Sequence, residues 1–77
     1  MNQLADHVVL VTGGGSGLGL GVARHCRVEG AEVAIFEYDA SKVAALRKEF
    51  GDDVLVVQGD VRSIEDLQAC RAAIEQR

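Results

Sequence analysis

The residues best suited to chemistry form a glycine-rich loop near the start of the chain, Thr12-Gly13-Gly14-Gly15-Ser16-Gly17-Leu18-Gly19. Glycine adopts positive φ values without steric cost, so such a loop lets the chain pass directly from a strand into a helix. The missing side chains also let a phosphate group approach the backbone N–H groups and the positive end of the helix dipole. The loop is therefore predicted to bind the diphosphate of a dinucleotide, with a purely structural turn as the alternative.

Acidic residues after the second and third apolar runs are predicted to face the same ligand. Glu37 follows the loop by about twenty residues, the spacing at which dinucleotide-binding folds place an acid on the adenosine ribose hydroxyls. A carboxylate there would repel a 2′-phosphate, which favours NAD over NADP; the alternative for Glu37 is a solvated strand-end carboxylate. Tyr38 is predicted to border the ribose or adenine. Asp60, followed by Val61, either accepts a hydrogen bond from the adenine amino group or caps backbone amides in a turn.

Three apolar runs, each followed by a segment of helical periodicity, must position these residues. The runs are rich in β-branched residues and extend over His7 to Thr12, Glu32 to Phe36 and Val54 to Val57. Continuous apolar runs of this kind are typical of parallel strands that are covered on both faces. The predicted fold is α/β, with the order β-α-β-α-β-α.

Capping residues predict where the helices begin and end. The first helix is expected from about Gly17 to Glu29, with Gly30 as its C-terminal cap. Asp39 is the expected N-cap of the second helix, which Gly51 ends. Ser63 is the expected N-cap of the third, with a capping-box acid three residues later at Asp66.

The apolar positions of each helix predict which face it buries. The first helix is expected to bury Leu18, Val22 and Cys26, and the second Val43, Leu46 and Phe50. The third has one apolar stripe, formed by Ile64, Leu67, Cys70 and Ile74.

Right-handed crossovers and the strand order 3-2-1 would place the first two helices on one face of the sheet and the third on the other. The first strand would then have an unpaired edge, and the helical cover of the sheet would be incomplete. The chain is predicted to be half of a doubly wound sheet.

Composition excludes several classes of partner. A net charge of −4, with no cluster of lysines and arginines, argues against nucleic acid. The longest strictly apolar run, Val8 to Val11, is too short to span a membrane, so a cytoplasmic protein is expected. Cys26 and Cys70 lack the spacing of a metal site, so no metal is expected and both are interpreted as buried, reduced thiols.

The chain resembles the short-chain dehydrogenase/reductase family, whose loop has the form T-G-x-x-x-G-x-G, matched by Thr12, Gly13, Gly17 and Gly19. Glu37 stands where NAD-preferring members of that family carry an acid. Asp60 stands where the family has an acid, commonly followed by valine, that binds adenine. The resemblance implies that residues 1–77 are a partial NAD(P)-binding Rossmann domain. The expected cofactor contacts are Thr12, Gly13, Gly15, Ser16, Gly17, Leu18, Gly19, Glu37, Tyr38, Asp60 and Val61.

The amino-acid sequences of the glycine loop and the second strand are most similar to those of bacterial cis-dihydrodiol dehydrogenases of aromatic catabolism. The resemblance therefore implies hydride transfer between NAD and an alcohol or diol, by an intact enzyme that is expected to be a homo-oligomer, either a dimer or a tetramer. In the family a serine and a Tyr-x-x-x-Lys pair do the chemistry. Tyr38 and Lys42 have that spacing by coincidence, since they lie in the adenosine region.

No catalytic residue is therefore assigned, and this piece is expected to be inactive alone. A stand-alone nucleotide-binding module without catalysis is the alternative. A ligand-free α/β scaffold is disfavoured, because a designed strand-helix connection needs few glycines.

Overall fold

A computed structural model describes residues 7–13 and 17–76 of the chain. Its elements are β1 (Val8–Thr12), α1 (Gly17–Val28), β2 (Glu32–Glu37), α2 (Ala40–Phe50), a 3-10 turn (Gly51–Asp53), β3 (Val54–Gln58) and α3 (Ile64–Glu75). The predicted β-α-β-α-β-α order is confirmed, and each strand begins and ends within one residue of its expected bounds.

The three strands form one parallel sheet in the order β1-β2-β3. Thr12 of β1 pairs with Phe36 of β2, and Glu37 of β2 pairs with Gln58 of β3. The carboxyl ends of all three strands therefore meet at one edge of the sheet, where ligands bind in open α/β sheets. Within the described ranges β1 pairs with β2 alone, which leaves its other edge open as predicted.

The main core lies between the sheet and the first two helices. Side chains of α1, α2 and alternate strand positions form one cluster, which includes Ala23, Cys26, Val43, Leu46, Val33, Ile35, Val54 and Val56. Because successive strand residues point to opposite faces, Ala34 and Leu55 lie on the other face, where they line a cleft with Ile74 of α3. The predicted placement of two helices on one face and one on the other is confirmed.

The buried face of α1 differs from the one expected. Ala23 is fully buried and Cys26 is buried, whereas Leu18 is 85% exposed and Val22 is 42% exposed. At about 100° per residue, Leu18 lies roughly 140° around the helix from Ala23, so both cannot face the sheet. Small side chains such as Ala23 let the helix approach the strands closely, and this contact decides the orientation.

The predicted caps of α2 are confirmed. The Asp39 carboxylate accepts hydrogen bonds from the backbone N–H groups of Ser41 and Lys42, at 2.9 and 3.4 Å. Val43 and Leu46 are buried, Phe50 is partly buried, and Gly51 follows as the C-terminal cap. Gly30 caps α1 in the same way, since the next residue, Ala31, donates to the Cys26 carbonyl at 3.0 Å.

The apolar stripe predicted for α3 is only partly buried. Cys70 is 1% exposed and Ile74 is half-buried, but Leu67 is 40% exposed and Ile64 is 71% exposed. Ile64 lies about 120° around the helix from Cys70, so the first turn points it away from the sheet. Both cysteines are free and buried, as interpreted from the sequence.

Candidate functional site

A cleft of about 270 Å³ lies at the carboxyl edge of the sheet. It is lined by the ends of all three strands and the segments that follow them, namely Thr12, Gly13, Phe36, Glu37, Tyr38, Gly59, Asp60 and Val61. The parallel register brings these residues together, although they lie up to 49 positions apart (61 minus 12) in the sequence. Six of them are among the predicted cofactor contacts.

Glu37 is the one buried charged side chain within the described ranges, and it is 7% exposed. Burying a carboxylate is costly unless hydrogen bonds compensate it. The backbone N–H of Asp39 donates to Glu37 Oε2 at 3.0 Å, which anchors the carboxylate at the end of β2. The main chain is also held there, because the Gly59 N–H donates to the Glu37 carbonyl at 3.0 Å. The sheet thus fixes an acid in the wall of the cleft.

Gly13 stands opposite Glu37, at the end of β1. Its φ of 67° lies in the left-handed region that favours glycine, and among the described residues, its chain neighbours aside, nothing lies within 4 Å of the position where a Cβ would stand. Its N–H donates to the Phe36 carbonyl at 2.9 Å, which ties the start of the loop to β2. Gly17, with a φ of 58°, has the same open space where α1 begins. The side of the backbone on which a Cβ would stand is therefore open at both ends of the loop, while the Gly13 N–H itself is used by Phe36.

Asp60 lies in the tight turn between β3 and α3. Its Oδ1 accepts from the backbone N–H of Arg62 at 2.8 Å and from Arg62 Nε at 3.1 Å, while Oδ2 accepts from Arg62 Nη2 at 3.0 Å. The turn-capping alternative is therefore present in the structure. Asp60 also lines the cleft, as Glu37 does.

The capping box predicted at Ser63 is only half formed. Ser63 Oγ accepts from the Asp66 N–H at 3.1 Å, as expected for an N-cap. The Asp66 carboxylate does not return the bond to Ser63; it accepts the backbone N–H of Asp60 at 2.9 Å. The Ser63 N–H instead donates to the Asp60 carbonyl at 2.9 Å. The N–H group that the Asp66 carboxylate was expected to accept therefore already has another acceptor.

Three of the predicted cofactor contacts that the structure describes do not line the cleft. Gly17, Leu18 and Gly19 form the first turn of α1 and do not line this cleft. Gly15 and Ser16 lie outside the described residues. Tyr38 is 68% exposed at the end of β2, where it borders the cleft, and Lys42 follows in the first turn of α2.

Two cleft residues were not predicted as part of the site. Phe36 is 1% exposed, and its ring packs directly against Gly59. The signal available in the sequence was a glycine immediately after β3 and an aromatic residue near the end of β2. Only the register of the sheet shows that these two positions touch.

The charge around the cleft is negative. The Ser41 hydroxyl and the backbone N–H groups of α2 lower the pKa of Asp39 below its ordinary value. The Arg62 side chain and backbone lower the pKa of Asp60 in the same direction. Both carboxylates are therefore anionic at neutral pH; the charge of Asp60 is offset by Arg62, whereas an additional anionic group close to Glu37 or Asp39 would be repelled.

A second cleft, of about 340 Å³, lies between α3 and the three strands of the sheet. It is mostly apolar and contains none of the predicted contacts, so the candidate site is the smaller cleft. Within residues 7–13 and 17–76, no three His, Cys, Asp or Glu side chains are grouped so that they could hold a metal ion. None of the helices in these ranges combines the length and apolar character needed to cross a membrane.

Comparison with known proteins agrees with the motif-based resemblance. The family model for short chain dehydrogenases matches residues 7–77. A 3-phenylpropionate-dihydrodiol/cinnamic acid-dihydrodiol dehydrogenase from Photorhabdus laumondii is 48% identical over 66 residues, covering 86% of this chain and 24% of that protein. The protein of the same name from Escherichia coli is 46% identical over 68 residues, covering 88% of this chain and 25% of that protein.

A solved structure shows the same arrangement of elements. The crystal structure of 3-ketoacyl-(acyl-carrier-protein) reductase from Brucella melitensis complexed with NADH superimposes with a TM-score of 0.84 and 35% identity, covering 92% of this chain and 29% of that one. The chain spans about a quarter of the length of the curated relatives it matches. The predicted likeness to dihydrodiol dehydrogenases and the Rossmann-like fold are both confirmed. Since the glycine loop, the strand-end acid and the parallel sheet occur together, and the family's pattern extends over residues 7–77, the chain belongs to the short chain dehydrogenase family.

Proposed function

We propose that residues 1–77 form part of an NAD(P)-binding domain and supply the adenosine side of an NAD site in an oxidoreductase. The observation that supports this most strongly is the buried carboxylate of Glu37, which lines one cleft with Gly13 and Asp60. A buried charge is costly to fold, so its position at the ligand edge of a parallel sheet favours a binding role.

The cleft fits part of a dinucleotide. Its volume of about 270 Å³ is just below the usual range for whole ligand pockets, so a nucleoside-sized portion fits better than the complete cofactor. The open space beside Gly13 and Gly17 is compatible with a phosphate approaching the backbone. Carboxylate acceptors at Glu37 and Asp60 suit a ligand that offers hydroxyl and amino donors.

The proposed contacts follow from this chemistry. Glu37 would accept hydrogen bonds from ribose hydroxyls, and Asp60 from the adenine amino group. Tyr38 and Val61 would border the adenosine. The backbone of the loop would bind the diphosphate, for which we propose Thr12, Gly13, Gly15, Ser16, Gly17, Leu18 and Gly19; Gly15 and Ser16 are proposed from the sequence alone.

The negative charge of the cleft supports NAD as the cofactor over NADP. A 2′-phosphate on the ribose would face Glu37, with Asp39 two residues away at the start of α2. Among the described residues that line this cleft there is no lysine or arginine, and Arg62, which contacts the cleft residue Asp60, is already paired with that carboxylate.

We also propose that the whole protein acts on an alcohol or diol. When bound, the nicotinamide supplies a site that accepts or donates a hydride. The names of the relatives favour an aromatic dihydrodiol as the substrate class. A homo-oligomeric state and a cytoplasmic location remain predictions from the sequence.

Calorimetric titration of the purified protein with NADH, NADPH and reduced nicotinamide mononucleotide tests the cofactor assignment. We expect NADH to bind at least about tenfold more tightly than NADPH, because one unfavourable charge contact is worth about that much. The mononucleotide lacks the adenosine and should bind more weakly than NADH. Equal affinity for all three ligands, or no binding of NADH, would refute an adenosine site.

A separate assay tests the substrate class. The purified whole protein should reduce NAD in the presence of an aromatic dihydrodiol and should form the corresponding catechol. Binding of NADH without turnover of any alcohol or dihydrodiol would instead support the stand-alone nucleotide-binding module.

A further inference from the structure

The backbone of Asp60 is tied to the start of α3 by two hydrogen bonds. The Asp60 N–H donates to Asp66 Oδ2 at 2.9 Å, and the Asp60 carbonyl accepts from the Ser63 N–H at 2.9 Å. Both backbone groups of Asp60 are thus used within a single turn. The orientation of residue 60 at the cleft depends on these two bonds, because the side chains of Val61 and Arg62 in the same turn are exposed and do not pack against the sheet.

Asp66 is free to make this contact for a local reason. Ser63 Oγ accepts the Asp66 N–H at 3.1 Å and so caps the helix without help from a second side chain. Asp66 stands in the first turn of α3, where the helix dipole favours a carboxylate. A bond between a carboxylate and a backbone N–H is charge-assisted and stronger than a neutral one. The contact is also partly buried, which limits screening by solvent.

We propose that Asp66 is a positioning residue for the adenine end of the cofactor: through the Asp60 backbone it orients the Asp60 carboxylate toward the cleft. The proposal rests on the proposed function, since it assigns a support to the Asp60 contact. Asp66 itself does not line the cleft and acts only through Asp60. Arg62 holds the same carboxylate from the solvent side, with its own side chain 83% exposed.

The distribution of donors on Asp60 makes the proposal specific. Oδ1 accepts from two Arg62 donors and Oδ2 from one, so Oδ2 keeps more acceptor capacity for an incoming N–H group. If the Asp60 backbone rotates, the direction of Oδ2 relative to the cleft changes. The protein should then lose its preference for a purine ring that carries an amino group, while the rest of the cofactor still binds.

The test compares NADH with reduced nicotinamide hypoxanthine dinucleotide, in which a carbonyl oxygen replaces the adenine amino group. Wild-type protein should prefer NADH, because a carboxylate accepts from an amino group and repels a carbonyl oxygen. In Asp66→Ala we expect the ratio of the two affinities to fall about tenfold, the effect of losing one charge-assisted bond. Asp66→Asn keeps an acceptor oxygen and should restore most of the ratio.

Ser63→Ala is the matched control. It removes the other side-chain contact at the same helix start but leaves a carboxylate at position 66 to accept the Asp60 N–H. If the role of Asp66 were only to stabilise α3, Ser63→Ala and Asp66→Ala would change the affinity ratio equally, and the proposal would be overturned. A ratio that falls in Asp66→Ala alone supports it.

Two further measurements distinguish a failure of the proposed function from a failure of the role proposed for Asp66. A wild-type protein that fails to bind NADH contradicts the proposed function, whereas one that binds NADH but keeps its ratio in Asp66→Ala contradicts this inference alone. If Asp66→Ala does not fold, hydrogen exchange at the Asp60 amide of the wild type gives the answer. Protection of that amide supports the bond to Asp66, and rapid exchange overturns it.

Discussion

A Cβ atom on Gly59 would lie 2.5 Å from Cζ of Phe36 and 2.8 Å from Cε2 of the same ring. Real Cβ atoms do not approach other atoms so closely, and the ring cannot easily move because Phe36 is 1% exposed. Gly59 therefore lets the chain pass directly over the Phe36 ring, which lines the cleft, as it leaves β3. The absence of a side chain at this position is a packing requirement.

Gly59→Ala is expected to destabilise the protein by about 1–3 kcal/mol, the usual cost of overpacking a core. It should also weaken NADH binding, since either the ring or the turn that carries Asp60 must move. Urea denaturation and calorimetric titration measure the two effects.

Gly21→Ala is the matched control for this substitution. Gly21 lies inside α1 with nothing within 4 Å of a Cβ, so alanine should stabilise the helix by about 0.5–1 kcal/mol. Equal stability of the two variants would contradict the contact between Gly59 and Phe36.

Cofactor preference should depend on the strand-end acid. Glu37→Ala combined with Tyr38→Arg removes the buried carboxylate and adds a cation beside the proposed ribose site. In the whole enzyme we expect the NAD:NADP ratio of kcat/KM to fall by at least about tenfold, or about 1.4 kcal/mol.

The control is Glu32→Ala, at the other end of the same strand and exposed to solvent. It changes the net charge as Glu37→Ala does, but far from the cleft, so the ratio should not move. An unchanged ratio in the double variant would show that Glu37 does not select the cofactor.

Stability in acid should depend on the cap of α2. The Ser41 hydroxyl and two backbone N–H groups hold the pKa of Asp39 below its ordinary value of 3.8. A carboxyl group with a lowered folded-state pKa stabilises the fold above its ordinary pKa, and this contribution is lost as the pH falls through the lowered value. Asp39→Asn keeps a capping side chain but cannot titrate, so it should lose less stability than the wild type below about pH 4.

Urea denaturation at a series of pH values measures this difference. Ser41→Ala removes the hydroxyl donor but leaves the backbone donors, so its pH dependence should lie between those of the wild type and Asp39→Asn. If the free energy of unfolding depended on pH in the same way in all three proteins at acidic pH, the dependence could not be assigned to Asp39.

The thiol of Cys70 should be unreactive in the folded protein. Burial raises the pKa of this thiol, and its side chain is 1% exposed. In Cys26→Ala, which leaves Cys70 as the only thiol, labelling by iodoacetamide should be about 100-fold slower or more than in urea, because reaction requires local opening. Equal labelling rates in the folded and unfolded protein would show that α3 does not pack on the sheet as described.

Local order along the chain could be predicted from the sequence itself. The bounds of the strands, the caps at Asp39 and Ser63, and the chain reversals at Gly30 and Gly51 depend on residues only a few positions apart. The glycine loop and the acid about twenty residues later also predicted a site at the carboxyl edge of the sheet, where the structure has a cleft; that this cleft binds a ligand stays a prediction.

Contacts between distant segments were decided by the tertiary structure. Only the docking of α1 through Ala23 and Cys26 shows that Leu18 faces solvent, and only the turn before α3 shows that Asp66 binds Asp60 instead of completing its own cap. The contact between Phe36 and Gly59 joins residues from two different strands. Helical periodicity leaves the rotation of each helix open within a broad apolar arc, and the sheet selects one rotation because close packing allows only one set of neighbours.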